Sequence, residues 1–320
     1  MTSIVPPSLQ SETPRFDADV PENGYQWWYV DGLSADGRSG VVVIGFIGSV
    51  FSPYYYAARA RGPANPENHC ALNVGLYRPE GKRWAMTERG AKSLDRGPDW
   101  LSVGPSGMRW RDDFLEIRVH ERSAPFGLPL VGTILVRPHR LGERAFALDD
   151  AGRHLWRPIA PHADIALRFT RPQFSWDGSG YFDTNAGSRA LEEDFACWNW
   201  SRCHGRGSTA ITYAVTRRDG REHALALEYP PDAPAIEVPC PPARNLPASG
   251  WRIRRATRSS GVPVVLTTLE DTPFYARSLL ADTSTAPNRL IMHESLSLDR
   301  FRTPWVRAML PFRMPRFARR

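Results

Sequence analysis

Two segments of the chain alternate apolar and polar side chains with a period of two. In residues 114–120, Leu115, Ile117 and Val119 oppose Glu116, Arg118 and His120; in 164–170, Ile165, Leu167 and Phe169 oppose Asp164, Ala166 and Arg168. A period of two sends successive side chains to opposite faces of a strand, so each segment is expected to be a half-buried antiparallel strand. The rest of the chain also reads as short strands joined by turns. The run GYQWWYVDG (24–32) reads as an aromatic strand, Asp36-Gly37 as a hairpin turn, and GVVVIGFIG (40–48) as a strand apolar on both sides. HCALNVGLY (69–77) is a further strand, and strands resume at 208–217, 223–229, 251–258 and 262–269. Asp149-Asp150-Ala151-Gly152 and Asp177-Gly178-Ser179-Gly180 read as turns. Ser188 to Ala196 is the one short helix expected before the C-terminal end, with Ser188 as its cap. The 29 Pro and 25 Gly favour many short elements over long helices. The expected class is all-β, with two barrels or sandwiches meeting near 185–190. The expected division is an irregular arm over 1–20, a first domain over 21–187, a second over 188–300 and a basic aromatic tail over 301–320.

Charge and cysteine usage narrow the function. The net charge is +7, and only Lys82 and Lys92 among the 41 basic residues are lysines. Basicity alone selects no partner, and the chain shows no zinc-finger spacing, no P-loop and no basic region before heptads, so nucleic acid is not an expected partner. Cys70, Cys197, Cys203 and Cys240 form no C-x-x-C pair. The spacing of Cys197, Cys203 and His204 fits no standard zinc pattern, so no metal site is expected. The first 20 residues lack the order of a signal peptide. The longest apolar run, 41–51, is too short to span a bilayer. The tail over 300–320 holds seven Arg, no acidic residue, and Trp305, Met309, Leu310, Phe312, Met314 and Phe317 between them. That composition suits an anionic membrane surface, with Pro304, Pro311 and Pro315 expected to interrupt any continuous helix.

The candidate site comes from two further strands. His154 and Trp156 share one face of the first, and Tyr181 and Asp183 share one face of the second. Trp176 is expected close by, and Trp27, Trp28 and Tyr54 are expected to line an apolar pocket. Asp31, Glu67 and His69 are possible secondary acids or water-positioning groups. An acid, an imidazole and aromatic rings facing one cavity suit protonation of an apolar molecule and protection of the resulting cation.

Three stretches carry a family resemblance: GYQWWYVDGLSADGRSGVVVIGFIGSVFSPYYY, NPENHCALNVGLY and GYFDTNAGSRALEEDFACWNWSRC. They resemble the bacterial carotenoid 1,2-hydratases, over most of residues 20–300. The resemblance implies tandem lipocalin-like β-barrels and addition of water to the terminal C1=C2 double bond of an acyclic carotene such as neurosporene or lycopene. It implies no organic cofactor, and a location in the cytoplasm at the surface of the inner or intracytoplasmic membrane. It also implies functional roles for the His-x-Trp and Tyr-x-Asp pairs, which match His154, Trp156, Tyr181 and Asp183. Asp183 is then the acid, Trp156 and Tyr181 the cation's walls, and His154 either Asp183's partner or the group that handles water. The competing readings are a non-catalytic carrier of hydrophobic ligands and a hydrolase or isomerase of lipid substrates; the hydrolase finds no G-x-S-x-G elbow.

Overall fold

In a computed structural model, residues 14–205, 207–285 and 289–316 are described. The all-β class holds. The chain forms two units, one from residues up to 190 together with those from 308 onward, the other from 191 to 307.

The strands of the first unit are β1 (Tyr25–Ser34), β2 (Gly40–Ile47), β3 (Cys70–Tyr77), β4 (Arg83–Arg89), β5 (Leu94–Arg96), β6 (Trp100–Val103), β7 (Ser106–Arg111), β8 (Phe114–Ser123), β9 (Leu128–Pro138), β10 (Phe146–Ala147), β11 (His154–Arg171) and β12 (Gln173–Gly187). They make one twelve-stranded antiparallel sheet in the order β4-β3-β2-β1-β12-β11-β9-β8-β7-β6-β5, with β10 beside β11. The sheet is nearly closed and barrel-like. Its concave core gathers Trp28 and Val30 of β1, Val41 and Val43 of β2, Leu72 and Val74 of β3, Ile117 of β8, and Ile165 and Leu167 of β11. These positions have the parity that the alternating segments demand: one side chain in two faces the core. Phe16 also belongs to this core, fully buried with its ring 5.1 Å from Trp28. The end of the expected irregular arm is therefore pinned down, and its residues 1–13 lie outside those described.

β1 is buried along its whole length, on both faces. It is central because β12 pairs with it across ten residues, from Tyr25↔Gly187 to Ser34↔Gly178. The turn expected at 177–180 is instead strand, and the chain reverses at Arg171-Pro172. The glycines there serve close approach of two backbones. A Cβ on Gly178 would stand 2.0 Å from the carbonyl oxygen of Leu33. β11 carries two register shifts, between Pro158 and Ala163. Each inserts one residue, so the two together restore the alternation, and odd-numbered residues face the core on both sides of the irregularity.

The second unit holds β13 (Phe195–His204), β14 (Thr209–Arg217), β15 (Glu222–Tyr229), β16 (Ile236–Glu237), β17 (Ala243–Leu246), β18 (Arg255–Arg258), β19 (Pro263–Asp271), β20 (Tyr275–Asp282) and β21 (Ile291–Ser297). It is a seven-stranded sheet, β16-β15-β14-β13-β21-β20-β19, with a two-stranded ribbon, β17-β18. The proline-rich segment after 229 contains the two short strands β16 and β17.

Helices are few: α1 (Pro53–Arg59), α2 (Leu191–Asp194), α3 (Leu298–Phe301) and α4 (Pro304–Arg313). The helix expected over 188–196 shrinks to the single turn of α2, because β13 begins at Phe195. The C-terminal stretch is more regular than its prolines suggested. Pro304 occupies the first turn, where a missing N–H costs nothing, and Pro311 falls in the last turn of α4. Arg316 then bonds Glu88 at 2.5 Å and His69 at 3.0 Å. Residues 317–320, including Phe317, lie outside those described.

Candidate active site

The face of β1, β12 and β11 opposite the packed core carries the candidate residues. Register fixes this. Trp27 stands opposite Asn185, Tyr29 opposite Asp183 and Asp31 opposite Tyr181; Trp156 of β11 is opposite Asn185 from the other side. Directly opposed side chains of an antiparallel pair share a face. The Tyr29 and Tyr181 rings, 6.2 Å apart edge to face, confirm it.

Asp183 is the centre of the group. It is 4% exposed, and its Oδ2 accepts two hydrogen bonds, from the indole N–H of Trp156 and the hydroxyl of Tyr181, each 2.8 Å long. Trp156 and Tyr181 are fully buried. Both donors aim at one oxygen, so they orient the carboxyl plane. Donors on a carboxylate favour its charged form while burial disfavours it, and here both influences act on one group. Phe146 of β10 lies 5.7 Å from the Trp156 ring, under the Arg144 guanidinium.

His154 lies on the same face, farther along. It opposes Gly187, four residues from Asp183, which is about 13 Å of strand. Its Nδ1 shares a 2.9 Å hydrogen bond with the Tyr25 hydroxyl. Gly187 makes this possible: it sits opposite both Tyr25 and His154, and a Cβ there would come within 2.5 Å of the Tyr25 ring and 2.8 Å of Nδ1. The expected turn at 149–152 holds the other end of His154, whose backbone N–H donates to Asp149 Oδ1 at 2.9 Å. Tyr25 thus holds the His154 ring and Asp149 its backbone N–H.

Of the pocket-lining candidates, Trp27 shares this face, stacked on Tyr25 with centroids 4.9 Å apart. Trp28 does not: neighbouring positions on a strand point oppositely, and Trp28 packs in the core. Trp176 is corrected in the same way. It stands opposite Leu167 and packs against the core, with strand rather than a turn between it and Tyr181. Tyr54 sits on α1, half-buried, with the Arg316 guanidinium 6.0 Å from its ring centre. Glu67 and His69 are engaged elsewhere, Glu67 with Arg96 and His69 with Glu88. Cys197 and Cys203 lie six residues apart on β13, about 20 Å along the strand, too far to share one ion. Tyr29, Phe146 and Gly187 join the site on structural grounds; only Tyr29 had a signal in the sequence, the i, i+2 run Tyr25, Trp27, Tyr29, Asp31.

Fold and site together define an all-β, barrel-type protein that holds a buried carboxyl among aromatic donors. Solved structures share the fold: a protein assigned as an AttH from Nitrosomonas europaea aligns with a TM-score of 0.65 at 13% identity, covering 92% of this chain and 99% of that one. The chain belongs to the carotenoid hydratase CrtC family, whose profile matches residues 43–320. The acyclic carotenoid 1,2-hydratase of Thiocapsa roseopersicina is 48% identical over 306 residues, 95% of this chain and 76% of that protein. That of Rubrivivax gelatinosus is 43% identical over 312 residues, with 95% of this chain and 76% of that protein covered. That of Cereibacter sphaeroides is 41% identical over 277 residues, 86% of this chain and 98% of that protein. The chain is thus a hydro-lyase that hydrates carotenoids.

Proposed function

We propose that this enzyme adds water across the terminal C1=C2 double bond of acyclic carotenes such as neurosporene or lycopene, with Asp183 as the acid. The observation that carries the reading is the pair of donors, Trp156 and Tyr181, on one oxygen of a buried carboxyl. Hydration of a trisubstituted alkene begins with a proton on the less substituted carbon, C2. The charge then rests on tertiary C1, where water attacks. Asp183 delivers the proton from Oδ1. The rings of Trp156 and Tyr181 face the cation, each contributing about 0.5–2 kcal/mol. His154, about 13 Å along the strand, positions the wall through Tyr25 rather than touching the reacting carbons.

Oxygen-18 water tests the reaction. Purified enzyme with lycopene in labelled water is expected to give a tertiary alcohol carrying the label. Unlabelled carotene recovered intact would make the protein a carrier.

The same reading takes the substrate from a membrane surface. Trp305, Met309 and Phe312 are 45%, 42% and 80% exposed along α4. Their spacing of four and three residues puts them on one helix face, with Arg302 and Arg313 exposed beside them. Among the described residues no helix is long and apolar enough to cross a membrane, so contact through α4 would be interfacial. Flotation with anionic liposomes tests it: Phe312→Asp is expected to reduce the bound fraction several-fold, and unchanged binding would remove α4 from this role.

A further inference from the structure

Water capture leaves a proton to be removed. We propose that Asp31 is that base. The inference rests on the hydration reading above and extends it.

Asp31 is fully buried, on the same sheet face as Asp183. It stands directly opposite Tyr181, while Asp183 stands opposite Tyr29, so the two carboxyl groups are diagonal neighbours across β1 and β12. Diagonal neighbours in an antiparallel pair are about 7 Å apart at Cβ. Tyr181 stands beside both: its backbone is paired with Asp31 and its hydroxyl donates to Asp183 Oδ2. Carboxyl pairs about 6.5–9.5 Å apart have room for a water between one of them and a reacting carbon, as in the glycosidases that invert configuration. His154 is the less suited group, because it is two pairs away on the other side of Asp183 and its Nδ1 is bonded to Tyr25. Asp31 thus flanks the acid on the same face, one diagonal position away.

The step balances. Asp183 in its acid form gives its proton to C2 and becomes a carboxylate. The C1 cation accepts the oxygen of water, forming the new C–O bond. Asp31, as carboxylate, takes one proton from that water, and the product is the tertiary alcohol. Transfer of one proton from Asp31 to Asp183 through solvent restores the starting state.

The test separates protonation from capture. In heavy water, a cation that is not captured loses a proton from C2 back to Asp183, which leaves deuterium in the recovered carotene. Asp31→Asn is expected to slow hydration by about 100-fold or more, the usual size of a general-base contribution, while deuterium exchange at C2 stays within a few-fold of wild type. Asp183→Asn is expected to abolish exchange and hydration together. If Asp31→Asn loses exchange as steeply as hydration, or keeps both, Asp31 is not the base. Should Asp31→Asn fail to fold, Asp31→Glu decides: a rise of about tenfold in the ratio of exchange to hydration supports the proposal, and the wild-type ratio overturns it. Retained hydration in Asp183→Asn would instead defeat the underlying assignment of the acid, whatever Asp31 does.

Discussion

Replacing Trp156 by Phe keeps an aromatic ring in the site but deletes the N–H that donates to Asp183. The lost bond is 2.8 Å long, fully buried, and ends on the same Oδ2 that accepts from Tyr181. Deleting one partner of a buried hydrogen bond costs about 1–3 kcal/mol. With tenfold in rate for each ~1.36 kcal/mol, hydration is expected to fall about 5- to 150-fold. Tyr181→Phe removes the other donor and is expected to fall in the same range. Because both act on one oxygen, the double variant should not be the sum. A coupling of about 0.5–3 kcal/mol is expected between contacting groups. The assay is the rate of hydroxylated product from lycopene for the four proteins of the cycle, with thermal unfolding to confirm that each is folded. Wild-type rates in both single variants, or strict additivity in folded proteins, would refute the reasoning that the two donors orient the acid.

Three other outcomes follow from packing and charge. Gly187→Ala should force Tyr25 and His154 apart, since the new Cβ would lie 2.5 Å from the ring; a loss of about 1–3 kcal/mol in stability is expected, read by denaturant unfolding, and wild-type stability would contradict the packing described. His293 is fully buried between Ser201 (2.8 Å) and Ser295 (2.9 Å), and burial pushes its pKa down from 6.5 to about 3. Below pH 6.5 the unfolded chain takes up a proton that the folded one refuses, so stability should fall by about 1.4 kcal/mol per pH unit from there toward pH 3; His293→Gln should flatten that slope, and an unchanged slope would be the contrary result. Arg316→Met leaves buried Glu88 with His69 but without its guanidinium partner; removing one partner of a buried pair costs about 3 kcal/mol or more, and an unchanged melting temperature would show that the C-terminal segment is not anchored there.

Much of the architecture was readable because alternation is a property of the residues themselves. Leu115, Ile117 and Val119 face the core as their period requires, and so do Ile165 and Leu167. The Tyr181/Asp183 and His154/Trp156 pairs share one face for the same reason. Glycine misled at 177–180: it can mark a turn or a place where two backbones nearly touch, and only the neighbouring strand decides. Tryptophan fits core and pocket equally, so composition does not separate Trp27 from Trp28 and Trp176; parity relative to Asp183 sorts them, but only once the register is known. Neither the partnership of His154 with Tyr25 nor the Asp31–Asp183 diagonal is visible from one chain read in order, since 129 residues separate Tyr25 from His154. The C-terminal helix α4 is hidden in the sequence because proline is costly in a helix interior and nearly harmless in its first turn, where Pro304 stands.

The acid role of Asp183 is the claim on which the rest depends, and one comparison tests it most directly: initial rates of lycopene hydration by wild type, Asp183→Asn and Asp183→Glu at equal concentrations of folded protein. Asn keeps the size and the acceptor oxygen for Trp156 and Tyr181 but has no acidic proton. A fall of about 100-fold or more is expected, with partial recovery in the Glu variant. A wild-type rate in folded Asp183→Asn would contradict the account.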